Sequence, residues 1–102
     1  MGRQSSGSLI EWTEQATRQL DQAYDHIALS NSEEVADRIR SRIVDSVQQL
    51  ANFPMSGRVG RVNGTRELVI ATTPFIAAYA IDRHRIVILA IYHGAQKWPE
   101  KF

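Results

Sequence analysis

The sequence predicts an α+β domain in which two helices pack on an antiparallel sheet. Apolar residues recur at helical spacing in the first half of the chain, whereas three short apolar runs follow one another in the second half. The connections between those runs are short, which favours antiparallel neighbours in a β-meander. The predicted order is therefore an N-terminal strand, an antiparallel two-helix hairpin and a three- to four-stranded antiparallel β-meander packed on the helices.

The first half of the chain supplies the first strand and both helices. Leu9–Trp12 is the predicted strand, and Thr13 is the predicted N-cap of the first helix. Ser30–Ser32 ends that helix and caps the second. Each helix carries one apolar face, so neither can be buried without the sheet; the faces consist of Ala16, Leu20, Ala23, Tyr24 and Ile27, and of Ala36, Ile39, Ile43, Val47 and Leu50.

The second half supplies the meander. Its three apolar runs are Leu68–Ala71, Phe75–Ile81 and Ile86–Tyr92. The last two are too continuously apolar for a half-exposed edge, so they are predicted to be central strands. Asn63-Gly64, which precedes them, is typical of a two-residue hairpin loop.

Length and composition set limits on the class of protein. The chain has 102 residues, of which 43% are apolar, and its 12 basic residues nearly balance its 11 acidic ones. That size fits one domain, assigned to residues 9–102 after a polar, flexible leader at residues 1–8. No apolar run reaches the roughly 20 residues of a membrane span, and no cysteine is present. A cytoplasmic location without cofactor or metal is the resulting expectation.

The near-zero net charge hides an asymmetry between the two halves. Residues 1–55 contain five basic and eight acidic side chains, whereas residues 56–102 contain seven basic and three acidic ones. Ten of the twelve basic residues are arginine, which suits forked contacts with phosphate or carboxylate. A partner would therefore meet the local charge of the second half.

The basic residues of the second half form the main candidate site. Arg58, Arg61 and Arg66 surround the Asn63-Gly64 turn, and Lys97 is expected to approach them across the sheet. One interpretation is a surface for RNA phosphate or for acidic side chains of a protein target. The other is a solvated loop that pairs with Glu67.

Three further side chains have two interpretations each. His93 ends an apolar strand and has a pKa suited to acid–base catalysis, yet it could equally cap the sheet edge through a backbone hydrogen bond. Trp98 could stack on a base or fill a pocket of the target, or it could seal the core. Tyr79 lies in the middle of a predicted central strand and is more typical of the core than of a site.

Several segments, taken in order, resemble RelE/ParE-type toxins. They are Leu9–Ala16, Phe53–Arg58, Gly64–Val69, Thr73–Ile81 and Ile88–Pro99, and together they span almost the whole predicted domain. The resemblance implies a growth-inhibiting toxin of a type II toxin–antitoxin pair, of the plasmid-stabilisation kind. It also implies neutralisation by a cognate antitoxin protein. We expect an acidic segment of that antitoxin to cover an exposed apolar groove and the basic end of the meander.

Two activities are known in the resembling family. RelE-like members cut mRNA in the ribosomal A site, and ParE-like members inhibit DNA gyrase. Alignment on Tyr79 places Ile76 where RelE-like nucleases have an arginine, so the resemblance leans towards ParE-like inhibition of gyrase. The alternative is a ribosome-dependent mRNA endoribonuclease, for which the catalytic candidates are His93, Arg66 and Lys97. The predicted residues for binding the target or RNA are Arg58, Arg61, Arg66, Lys97 and Trp98.

Overall fold

A computed structural model describes residues 8–95 of the chain. Two helices and five strands are present in this part, and a short 3₁₀ turn at Gln49–Ala51 directly follows the second helix. The strands form one sheet in the order β1-β5-β4-β3-β2. The elements are β1 (Leu9–Trp12), α1 (Glu14–Ser30), α2 (Glu33–Gln48), β2 (Arg58–Val59), β3 (Arg66–Val69), β4 (Phe75–Asp82) and β5 (Arg85–His93).

Both helices begin at the predicted caps. The Thr13 hydroxyl accepts a hydrogen bond from the amide of Ala16 at 3.0 Å, and the Ser32 hydroxyl accepts one from the amide of Val35 at 3.1 Å. Each bond satisfies an amide that the first helical turn would otherwise leave without a partner. The predicted helical hairpin is therefore confirmed, with its break at Asn31 and Ser32.

The sheet contains the predicted antiparallel meander and one parallel addition to it. Strands β2 to β5 pair antiparallel in sequence order, and β4 and β5 occupy the centre as predicted. Strand β1 pairs with β5 in parallel, from Leu9 opposite Arg85 to Trp12 opposite Ile88. The two helices return the chain to the same end of the sheet, which allows this parallel pairing; the sheet is consequently mixed.

The predicted two-residue hairpin at Asn63-Gly64 is wrong. Strand β2 ends at Val59 and β3 begins at Arg66, so the connection is longer. The Gly60 amide donates to the Thr65 carbonyl at 2.8 Å, and the Thr65 amide donates to the Val62 carbonyl at 3.1 Å. Gly64 has φ +81° and is the third residue of that inner turn, the position where a type II turn requires glycine.

The core lies between the helices and one face of the sheet. Tyr79 is fully buried there, which confirms its predicted place in the core. Buried side chains from both helices, from the 3₁₀ turn and from β4 and β5 join it in one cluster: Ala16, Leu20, Ile43, Val47, Leu50, Phe75, Ala77, Ile86, Ile88 and Ile91. On the opposite face Ala78, Ala90 and Tyr92 form a separate, smaller cluster. Alternate residues of β4 therefore face two different environments.

The turn between β3 and β4 places a β-branched residue in the left-handed region. Thr72 has φ +63° and is exposed, and the turn is closed by the Thr73 amide, which donates to the Ile70 carbonyl at 3.2 Å. The Thr73 hydroxyl also accepts from the Phe75 amide at 3.0 Å. Left-handed backbone is costly for a residue with a Cβ, and most of all for a branched one. Thr72 therefore stores local strain.

Replacing Thr72 with glycine is expected to stabilise the chain. Thr72→Gly should raise the free energy of unfolding by about 0.5–1 kcal/mol, because relief of the left-handed strain exceeds the extra flexibility of the unfolded chain. Urea unfolding followed by circular dichroism measures the difference. The matched control, Thr73→Gly, should destabilise the chain because it removes the turn's hydroxyl bonds. Equal destabilisation by both substitutions would show that the backbone of Thr72 is not strained.

Candidate functional site

The pairing of β2 with β3 divides the predicted arginine cluster between two faces of the sheet. Arg58 lies opposite Glu67, and Arg66 lies opposite Tyr79. Since neighbouring residues of a strand point to opposite faces, Glu67 and Arg66 are separated by the sheet. Arg58 and Arg61 are placed with Glu67 on the face away from the helices. Arg66 is placed on the face that packs against them.

Glu67 is a buried carboxylate held by both arginines of its face. Its side chain is only 2% exposed. The Arg58 guanidinium donates to one oxygen from Nη2 at 2.9 Å and from Nε at 3.1 Å. The Arg61 amide and its Nε donate to the other oxygen at 2.9 Å and 3.2 Å. The structure therefore contains the pairing between this loop and Glu67 that was one interpretation of the sequence.

These bonds fix the ionised state of Glu67. Burial by itself would raise the pKa of this carboxyl, because a charged group loses its hydration. The hydrogen bonds from the Arg61 amide and from the Arg58 and Arg61 side chains outweigh that effect and hold the pKa below its ordinary value of 4.5. Glu67 is thus an ionised carboxylate with a structural role, and both of its oxygens accept hydrogen bonds from Arg58 and Arg61.

Arg66 is fixed by backbone carbonyls. Its Nε and Nη2 donate to the Gly57 carbonyl at 3.0 Å and 2.6 Å, and Nη2 also reaches the Met55 carbonyl at 3.3 Å. It forms no ion pair with any carboxylate among residues 8–95. The guanidinium therefore carries a positioned charge without an acidic partner in the described part of the chain.

The segment that receives Arg66 is also bound by Tyr79. The Tyr79 hydroxyl donates to the Pro54 carbonyl at 2.7 Å and accepts from the Gly57 amide at 3.0 Å. A Cβ at position 57 would lie 2.6 Å from that hydroxyl and 2.8 Å from the Glu67 carbonyl oxygen, so glycine is required for the close approach. Arg66 and Tyr79 together hold Pro54–Gly57 against the sheet.

An exposed apolar surface surrounds Arg66. Met55 is 64% exposed, Val59 77% and Ile81 38%. With Gly64, Thr65 and Arg66 they line an open pocket of about 280 Å³. We call the group Met55, Val59, Arg66 and Ile81 the Arg66 pocket. Sequence reasoning missed its apolar members, because residues of a central strand such as Ile81 are expected to be buried; the available signal was the presence of Met55 and Val59 in the segment around Gly57.

His93 is exposed at the end of β5. Its Nδ1 accepts a hydrogen bond from the Ala95 amide at 3.1 Å, and its ring meets the edge of Phe75 with centroids 5.7 Å apart. The predicted backbone bond at the sheet edge is therefore present. His93 also lines an open cleft of about 410 Å³ with His26, Gln19 and Gln22 of α1. Lys97 and Trp98 lie outside the described residues.

The resemblance described above aligns Ile76 with the arginine expected in a RelE-like nuclease. It is 8% exposed and lies opposite Tyr92 in the register of β4 and β5. An apolar side chain at this point supplies no charge to the face of the sheet that carries Arg58 and Arg61.

Residues 8–95 contain no group of three or more His, Asp or Glu side chains that could hold a metal ion. None of the helices described is long and apolar enough to cross a bilayer.

Comparisons with known proteins agree on one family. A family model described as "ParE toxin of type II toxin-antitoxin system, parDE" matches residues 10–98. The Sinorhizobium fredii protein "Putative toxin Y4kP" is 42% identical over 91 residues, which cover 89% of this chain and 93% of that protein. A chain of the chromosomal ParDE system from P. aeruginosa superposes with a TM-score of 0.81 at 31% identity, covering 87% of this chain and 98% of that one.

A second solved structure shares the fold at lower identity. A chain of the toxin–antitoxin complex RelBE2 from Mycobacterium tuberculosis gives a TM-score of 0.63 at 22% identity. The match covers 85% of this chain and 98% of that one. The α+β architecture described above is thus the architecture of both kinds of solved toxin–antitoxin protein.

The buried carboxylate predicts a pH-dependent contribution to stability. Glu67→Gln should lower the free energy of unfolding by about 2 kcal/mol at neutral pH, because hydrogen bonds to a charged group are worth about 1.5–3 kcal/mol. The folded-state pKa is lowered, so this contribution is complete above the ordinary value of 4.5 and is lost as the pH falls through the folded-state pKa.

Urea unfolding of the wild type and of Glu67→Gln, at neutral pH and at about pH 3, measures the free energy that the charged carboxylate contributes. The difference between the two proteins should shrink on acidification. Glu34→Gln, a change at an exposed carboxylate of α2, is the control and should have little effect at either pH. An unchanged difference at low pH would show that the charge of Glu67 is not what stabilises the loop.

Proposed function

We propose that this chain, which belongs to the ParE toxin family of type II toxin–antitoxin systems, stops bacterial growth by inhibiting DNA gyrase. A cognate antitoxin protein binds the chain and neutralises it, and both proteins act in the cytoplasm. The family match over residues 10–98 and the likeness to a ParDE protein at 31% identity support the ParE-like activity.

The observation that carries the proposal against a nuclease is the environment of the basic residues. Cleavage of RNA requires cations that converge on the reacting phosphate. Within residues 8–95, Ile76 brings no charge, Arg58 and Arg61 already bind Glu67, and Arg66 lies on the other face of the sheet. These residues are better placed to contact a protein than to stabilise a phosphate in its transition state.

The residues proposed to bind the target are Arg58, Arg61, Arg66, Lys97 and Trp98. Arg58 and Arg61 retain 54% and 47% exposure while they bind Glu67, so both can also meet acidic side chains of a partner. An acidic segment of the antitoxin that covers the basic end of the meander would block part of this surface. Inhibition and neutralisation would then compete for the same part of the chain.

One observation favours the alternative, an mRNA endoribonuclease. His93 and His26 face the same cleft, and Gln19 and Gln22 line it with amide groups. Two imidazoles could act as acid and base in transfer of a proton from the ribose 2′-hydroxyl. In that reaction Arg66 or Lys97 would have to supply the charge for the phosphate.

Inhibition of gyrase is tested directly by supercoiling. The purified chain added to DNA gyrase and relaxed plasmid should reduce the yield of supercoiled product in proportion to its concentration. Addition of the antitoxin encoded beside the gene should restore supercoiling. Normal supercoiling in the presence of excess toxin, together with rapid arrest of translation in induced cells, would overturn the proposed target.

Substitution of His93 separates the two activities. His93→Ala should leave growth inhibition intact if gyrase is the target, whereas loss of a general acid or base would slow RNA cleavage by about 100-fold to 10⁴-fold. Growth after induction and primer extension on cellular mRNA give the two readouts. His93→Asn, which keeps a hydrogen-bond acceptor near the Ala95 amide, controls for the local structure. Abolished toxicity with both variants folded would favour the nuclease.

A further inference from the structure

The guanidinium of Arg66 is fixed in place, and two of its hydrogen-bond donors have no acceptor among residues 8–95. An arginine has five N–H donors, of which Arg66 directs the one on Nε and those on Nη2 to the carbonyls of Gly57 and Met55. Nη1 makes no hydrogen bond within the described chain. A partner can therefore bind Nη1 without paying the entropy of ordering this side chain, since the protein has already ordered it.

The surroundings of Nη1 restrict the chemistry of that partner. Met55, Val59 and Ile81 border the same pocket and are all more than a third exposed. A positive charge in an apolar surface is complementary to a carboxylate that stands beside an apolar side chain. Arginine is also among the residues that most often contribute a large share of the binding energy of a protein interface.

We propose that an acidic segment of the antitoxin docks in the Arg66 pocket. One carboxylate accepts hydrogen bonds from Nη1 of Arg66, and an adjacent apolar side chain of the segment packs among Met55, Val59 and Ile81. This inference rests on the antitoxin of the proposed function and is independent of gyrase as the target. It assigns the neutralising contact to the face of Arg66 and not to the face of Arg58 and Arg61.

A protein partner fits the pocket better than a nucleic acid does. Binding along a phosphate backbone needs several cations on one surface and, for single strands, aromatic side chains on which bases stack. The Arg66 pocket offers one cation and three aliphatic side chains, because Arg58 and Arg61 are turned to the other face. The carboxylate of a protein therefore complements it, and RNA is the competing outcome.

The test uses a substitution beside Arg66, because loss of Arg66 itself would also release Pro54–Gly57. Val59 lies directly opposite Arg66 and is 77% exposed. An aspartate at position 59 would therefore lie beside Arg66 on the same face of the sheet, compete for its guanidinium and repel an acidic partner. A cross-strand pair of opposite charges does not destabilise a sheet, so the variant should fold.

Affinity for the antitoxin encoded beside the gene is measured by isothermal titration calorimetry with the full chain. Val59→Asp should raise Kd at least 10-fold. Leu29→Asp, the same kind of change at a residue that is 89% exposed on α1, should raise it less than threefold. An unchanged Kd for Val59→Asp, or an equal rise for Leu29→Asp, would overturn the proposal.

Two further measurements distinguish the competing occupants. If the wild type binds a fluorescein-labelled 12-nucleotide oligouridine and Val59→Asp loses that binding, the pocket serves RNA and the proposal fails. If Val59→Asp keeps its affinity for the antitoxin but no longer inhibits supercoiling, the pocket serves gyrase and the proposal also fails. Failure of the wild type to inhibit gyrase, with the antitoxin results as expected, would count against the proposed target alone.

Discussion

The hydroxyl of Tyr79 fixes the segment that leads from the helical hairpin into β2 at the edge of the sheet. The residue is fully buried in β4, where a hydroxyl without partners would cost about 1–3 kcal/mol. Pro54 and Gly57 supply those partners from the segment that leaves the helical hairpin. Glycine at position 57 allows the two to approach. The end of the hairpin is thereby attached to the sheet, and β2 starts from a fixed point.

The start of β2 decides which arginine faces which surface. Once Arg58 is opposite Glu67, the alternation of the strand sends Arg66 to the other face, beside Tyr79. Arg58 then stabilises a buried anion, whereas Arg66 binds the same Pro54–Gly57 segment that Tyr79 binds. Three basic residues that are close in sequence thus have two different structural roles.

Local sequence patterns were sufficient to predict the two helices and the central strands of the sheet. The cap residues Thr13 and Ser32 and the apolar spacing of the two helices depend on neighbours within a few positions, so the chain itself reveals them. The central places of β4 and β5 follow from their apolar composition on both faces. Likewise the burial of Tyr79 follows from its place in such a strand.

Features that depend on distant partners were not predicted. The parallel pairing of β1 with β5 joins residues about 76 positions apart, and no local pattern specifies it. The longer loop around Asn63-Gly64 includes a bond from the Arg61 amide to the buried carboxylate of Glu67, and the burial of that carboxylate depends on the rest of the sheet. The Arg66 pocket was missed because the exposure of Met55 and Val59 depends on how Pro54–Gly57 docks.

The dispersal of the arginines explains how a nearly neutral chain can still present charge to a partner. On the face away from the helices, Glu67 offsets part of the charge of Arg58 and Arg61. On the other face, the positive charge of Arg66 has aliphatic neighbours and no ion-pair partner among residues 8–95. A nuclease would need these charges to converge on one phosphate, and the alternation of β3 prevents that convergence. A protein interface has the opposite requirement, because one desolvated charge within an apolar border selects a partner with a matching acid. The placement of Arg58 and Arg66 on opposite faces of the sheet is therefore the feature that supports the proposed recognition of a protein over cleavage of RNA.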